Sequence, residues 1–109
     1  MKKFLILLLI IPNLLFAHQH ITAEDVVSER QTSPVLNVYA LGVVEGLIHS
    51  YTAYKALNGI KTICYRESYS TPDWVSIIDG HYLKNKSTYA GMSYVFTADS
   101  ILRKNFPCN

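Results

Sequence analysis

Apolar residues recur at helical spacing in three stretches of this chain, and the polar residues between them carry helix start and stop signals. From Val35 to Leu57, the residues Leu36, Ala40, Val43, Val44, Leu47, Ile48 and Tyr51 mark one apolar face of a long helix. Glu45 and Lys55 fall off that face, and Asn58-Gly59 supplies the stop. Upstream, Thr22 opens a short helix that ends near Arg30. Its hydroxyl caps free backbone donors, and Glu24 and Asp25 suit the positive helix end. Gln31 to Pro34 reads as a loop.

Ser70-Thr71-Pro72-Asp73 starts a further helix. Ser70 or Thr71 caps it, Pro72 fits the first turn, and Trp74, Val75, Ile77, Ile78 and Tyr82 carry it to about Lys84. After Asn85-Lys86, Ser87 or Thr88 is expected to cap the last helix, with Ala90, Tyr94, Val95, Ala98, Ile101 and Leu102 on its buried side. Arg103 and Lys104 suit its negative end. Ile60 to Tyr69 has some strand-like residues but nothing to pair with, so it reads as a connection. The pattern predicts an all-α domain of four helices, the first of them short.

The amino terminus has a different pattern. Lys2 and Lys3 precede an unbroken apolar run from Phe4 to Ile11, Pro12-Asn13 interrupts it, and Leu14 to Ala17 lead to the polar His18. This is the layout of a secretory signal over residues 1–17, cut after Ala17, leaving a domain over 18–109. The alternative is an uncleaved anchor. A spanning helix needs roughly 20 apolar residues, and this run is shorter and contains a proline. Export implies a periplasmic location and no membrane attachment after cleavage.

A length of 109 residues fits one domain. Ten Lys or Arg face eight Asp or Glu, and the surplus equals the two leader lysines, so the exported part is close to neutral. That excludes the basic footprint of a nucleic-acid binder. The cysteines, Cys64 and Cys108, both lie in the exported part. An oxidising compartment makes a bridge the expected state, with two buried free thiols the alternative. The bridge would close a loop of about 45 residues, for which chain entropy gives roughly 4 kcal/mol. Gly42 and Gly46 lie on one side of the long helix, each at a cost in propensity. They are expected to admit close helix packing.

No residue constellation points to catalysis or to a cofactor. His18, His20, His49 and His81 have no supporting motif, and Glu24-Asp25 reads as helix-start charge. Cleavage after Ala17 would expose His18-Gln19-His20, whose amine, amides and third-position imidazole form a square-planar nitrogen set suited to Cu(II) or Ni(II). The alternative is a plain polar terminus. Eight tyrosines are a heavy load. Tyr39, Tyr51, Trp74, Tyr82, Tyr89 and Tyr94 fall on helical spacing and are expected in or near the core, with Tyr54, Tyr65 and Tyr69 exposed. Tyrosine is favoured at interfaces, so Tyr65, Arg66, Glu67 and Tyr69 form the candidate contact patch. The alternative is a loop that packs locally on the disulfide.

Three segments, in order, resemble the Rap/Tai-type immunity proteins. They are Leu41-Gly42-Val43-Val44-Glu45-Gly46, then Ile63-Cys64 followed by the Ser70-capped helix ending in Tyr82-Leu83, then Asn105-Phe106-Pro107-Cys108. The likeness covers about Val38 to Cys108. Ala40 stands where many relatives have a cysteine, and Tyr65-Arg66-Glu67-Ser68 replaces their Pro-Glu-Gly turn. The resemblance implies a helical periplasmic protein that blocks a peptidoglycan amidase delivered by type VI secretion, without chemistry of its own. It also implies a homodimer, here through the glycine-bearing helix. The alternative within the same fold is a periplasmic chaperone-like helper with no toxin partner.

Overall fold

A computed structural model describes residues 21–108 as four helices joined by short connections. The leader expected over residues 1–17 and the amino-terminal His18 and His20 lie outside the described residues.

Helix α1 (Ala23–Glu29) starts as its sequence requires. Thr22 Oγ1 accepts from the Asp25 backbone N–H at 3.1 Å, and the Asp25 carboxylate accepts from the Thr22 N–H, so two orphan donors are satisfied reciprocally. Helix α2 (Pro34–Asn58) is capped by Ser33, with Pro34 in its first turn. It stops at Gly59, whose φ of 71° is the left-handed conformation that glycine adopts without a Cβ penalty. Helix α3 (Thr71–Lys84) repeats the reciprocal cap, with Ser70 and Asp73 at 3.1 and 3.3 Å.

The last helix, α4 (Tyr94–Asn105), starts later than expected. Its cap is Ser93, not Ser87 or Thr88. Residues 85–92 form turns instead, held by Thr88 N–H to Asn85 O at 3.0 Å and Met92 N–H to Tyr89 O at 3.1 Å. Gly91 is left-handed at φ 74°, which no right-handed helix can pass through. The backbone beyond it is claimed by the segment before α1. Ala23 N–H donates to Met92 O at 3.1 Å, Tyr94 N–H to Ile21 O at 2.8 Å, and Thr22 and Ser93 form an isolated antiparallel bridge. Ala90 and Val95 are therefore exposed rather than buried, and Tyr89 packs inward from the turns.

Val26, Ala40, Val44, Trp74, Val75, Ile78, Tyr94, Ala98, Ile101 and Leu102 make one core drawn from all four helices. Leu36, Val43, Leu47 and Ile48 of the expected α2 face flank it, half-buried. From Thr52 to Lys61 every residue is exposed, so the last turns of α2 run past the core. Gly42 and Gly46 do not seat another helix of this chain. A Cβ at either would meet no neighbouring atom within 4 Å, because both lie on the outer side of α2.

Polar contacts complete the joint at α1. Arg30 Nε donates to Asp79 Oδ2 at 2.6 Å, and its Nη1 to Asn37 Oδ1 at 3.0 Å. One guanidinium thus ties the end of α1 to the first turn of α2 and to the middle of α3.

Candidate functional site

The far end of the bundle, where α4 runs out and the connection to α3 begins, is closed by the Cys64–Cys108 disulfide. Cys64 N–H also donates to Phe106 O at 2.9 Å, so the two segments are joined by main chain as well as by sulfur. No described cysteine is free.

Aromatic rings build outward from this junction. Trp74, on the first turns of α3, is buried, with the Tyr69 centroid 4.7 Å away, Tyr65 at 5.0 Å and Phe106 at 5.1 Å, all edge-on. Edge-to-face pairs of this kind each add about 0.5–1.5 kcal/mol beyond area burial. Tyr65 and Tyr69 therefore act as two feet of one loop, and their own rings lie 6.3 Å apart. Both readings of the patch have a share in this geometry: the loop packs locally through its rings, yet Tyr65 remains 47% exposed. Arg66, Glu67 and Ser68, between the feet, are exposed and form no hydrogen bond or ion pair with any described residue. The result is a braced turn with charged side chains at its tip.

Compared with known proteins, this chain matches no family model, no curated protein and no solved structure.

Beside the braced loop runs a cleft that local sequence gave no sign of. One cavity of about 330 Å³ lies between α2 and the connection, lined by Ile48, Tyr51, Lys55, Lys61, Ile63 and Tyr65 among others. A second, of about 470 Å³, adjoins it and shares Tyr51, Lys61 and Thr62, with Tyr54 and Arg103 on its far wall. The Tyr51 hydroxyl donates to Asp99, and Asp99 also accepts from Arg103 Nε at 2.9 and 3.1 Å. The Arg103 guanidinium lies 5.5 Å from the Tyr51 ring centroid. Burial first, and then the Asp99 hydrogen bond, hold the Tyr51 phenol above its ordinary range. Tyr51 is thus a neutral wall, and Arg103 is a cation fixed in place.

The other sequence candidates are dispersed. His49 lies 3.7 Å from Glu45 on an exposed turn of α2. Glu24 accepts from the Tyr82 hydroxyl, and Asp25 is used in the α1 cap. Among the described residues no three His, Cys, Asp or Glu side chains converge as a metal site.

Proposed function

We propose that this protein acts by binding another protein outside the cytoplasm, as an immunity protein that blocks a peptidoglycan amidase delivered by type VI secretion. The observation that carries the binding reading is the disulfide-braced loop. Its aromatic feet limit the conformational entropy lost on association, and its tip residues Arg66 and Glu67 make no hydrogen bond or ion pair with any described residue. The amidase assignment rests on the resemblance in the glycine-bearing helix, the Ser70-capped helix and the closing Phe106-Pro107-Cys108. The disulfide fits a periplasmic setting, and no helix among the described residues is long and apolar enough to cross a membrane.

In this reading Tyr65, Arg66, Glu67 and Tyr69 cover the entrance of the enzyme's cleft and exclude its substrate. A second copy covers the outer side of α2, where Val35 and Val38 are 78% and 67% exposed beside the open Gly42 and Gly46. The same exposed side chains favour a second reading, a chaperone-like helper that holds unfolded chains on this apolar strip.

A pulldown with a peptidoglycan amidase delivered by type VI secretion, with an assay of peptidoglycan cleavage, tests the assignment. The wild-type protein is expected to bind and inhibit. Tyr65→Ala is expected to weaken binding by roughly 30-fold, the size of an interface hot spot of about 2 kcal/mol. No binding to that amidase, together with suppression of aggregation of a denatured substrate, would transfer the assignment to the helper.

A further inference from the structure

The two adjoining cavities form a trough whose charge is one-sided. Lys55, Lys61 and Arg103 line it, and no Asp or Glu does. The Asp99 carboxylate, which bonds two of the lining residues, is occupied by Tyr51 and Arg103. Lys55 and Lys61 make no ion pair with any described residue.

A separate feature of the same trough is its wall of main chain. The run from Ile60 to Ile63 is neither helix nor strand, and its backbone makes no hydrogen bond with any described residue. The fold therefore leaves a series of amide donors and carbonyl acceptors beside the cations. Ile48, Ile63 and Tyr51 give the trough an apolar floor.

From this combination we infer that the trough binds an extended acidic peptide segment of a partner protein, with carboxylates on Lys55, Lys61 and Arg103 and peptide groups on the Ile60–Ile63 backbone. A simple inorganic anion would use the cations but leave the amides and the apolar floor unmatched. A peptide alternating acidic and apolar residues meets all three. Five extended residues span about 16 Å, comparable with the Ile60–Cys64 run that would flank them. This goes beyond the amidase reading, since it specifies the recognised chemistry whichever protein carries it.

The test uses the purified disulfide-bonded protein and a fluorescein-labelled heptapeptide of alternating Glu and Val, read by fluorescence anisotropy. Saturable binding is expected, weakening as salt rises, with a matched Lys and Val peptide showing none. Lys61→Glu and Lys55→Glu are each expected to weaken it at least tenfold, and Lys86→Glu, away from the trough, to leave it unchanged. Both trough lysines are exposed and make no ion pair with any described residue, so these variants should keep the wild-type circular dichroism. Absence of saturable binding to the wild type would overturn the inference. So would indifference to both trough substitutions, or full competition by millimolar inorganic phosphate, which would make this a simple anion site. None of these outcomes depends on whether an amidase binds the loop.

Discussion

The two ends of helix α4 are closed by different chemistry. At its start, α1 is held by reversible contacts: the Thr22–Ser93 bridge, the Tyr82–Glu24 hydrogen bond, and the Arg30 side chain between Asn37 and Asp79. At its finish, the Cys64–Cys108 bond and a shell of rings around Trp74 hold the tail to the loop before α3. The exposed tip residues and the cationic trough both lie at the covalent end. A small domain buries too little to fix an irregular loop by packing alone, and a bond across the loop supplies what the core does not. The reversible end uses hydrogen bonds that respond to pH, whereas the covalent end responds to redox state.

That contrast is tested most strongly by removing the bond. Replacing both Cys64 and Cys108 with Ser is expected to lower unfolding free energy by about 4 kcal/mol, the chain-entropy value for a sequence separation of 44 residues. Urea denaturation followed by circular dichroism measures it. The ring shell should loosen with it, seen as a red shift of Trp74 fluorescence before the main transition. A loss below about 1 kcal/mol would mean that the rings and the Cys64–Phe106 hydrogen bond hold this end without the sulfur link.

At the opposite end, Arg30→Ala is expected to cost about 3 kcal/mol, because it strands the half-buried Asp79 carboxylate. Burial already holds that carboxyl above its usual range, against the lowering effect of Arg30. Without the guanidinium its pKa rises further. A carboxyl raised in the folded state binds its proton more tightly there than in the unfolded chain, so its contribution to stability is greatest at low pH and declines as pH rises. The penalty of Arg30→Ala should therefore be smaller near pH 4 than at neutral pH. The cysteine variants should show no such difference. Denaturation of both at the two pH values checks this, and equal pH dependence would erase the distinction between the ends.

The readable parts of the fold were those whose signals are local. Thr22 with Asp25 and Ser70 with Asp73 are three residues apart, Asn58-Gly59 are adjacent, and a chain with two cysteines leaves one intramolecular pairing. The start of α4 was not readable in the same way. Ser87, Thr88 and Ser93 all qualify as caps, and the choice among them is made by the left-handed Gly91 and by backbone bonds to Ile21 and Ala23 far along the chain. Arg30 and Asp79 are separated by 49 positions and share no motif. The loop residues 65–69 stand out in the sequence because Tyr65 and Tyr69 fall there, whereas their packing on Trp74 has no local signal. The trough was missed because Lys55, Lys61 and Arg103 come together only when α2 and α4 pack, and none of them is unusual in its own segment. Gly42 and Gly46 share a side that meets no other helix of this chain, since four-residue spacing says which residues share a side and not what that side meets.

Between the ends, smaller effects report on how dry the shared core is. The Tyr94 hydroxyl is buried without a hydrogen-bond partner among the described residues, and Tyr94→Phe is expected to raise stability by about 1.5 kcal/mol at neutral pH. Burial lifts the phenols of Tyr51, Tyr82 and Tyr94 from 10.0, that of Tyr82 up to about 12 and the other two higher. The fold favours their neutral forms, so the stability they contribute is complete below pH 10 and lost as pH climbs beyond it. Melting curves between neutral pH and about pH 11 should show this loss, and Tyr94→Phe should reduce it.

Thr97 gives the smallest shift and the sharpest reading of the core. It is fully buried in α4, and its Oγ1 has no hydrogen-bond partner among the described residues. Valine has nearly the same shape, the same branching at Cβ and a similar helix propensity. Thr97→Val therefore changes little except the hydroxyl, and removing a buried unpaired hydroxyl is expected to stabilise by about 1 kcal/mol. The gain should be independent of both redox state and pH, because Thr97 belongs to neither closure. Loss of stability instead would show that Oγ1 is bonded in solution, and that a polar network runs through the core between the Arg30 joint and the disulfide. The two ends would then be coupled, and the Cys64→Ser and Arg30→Ala costs should cease to add.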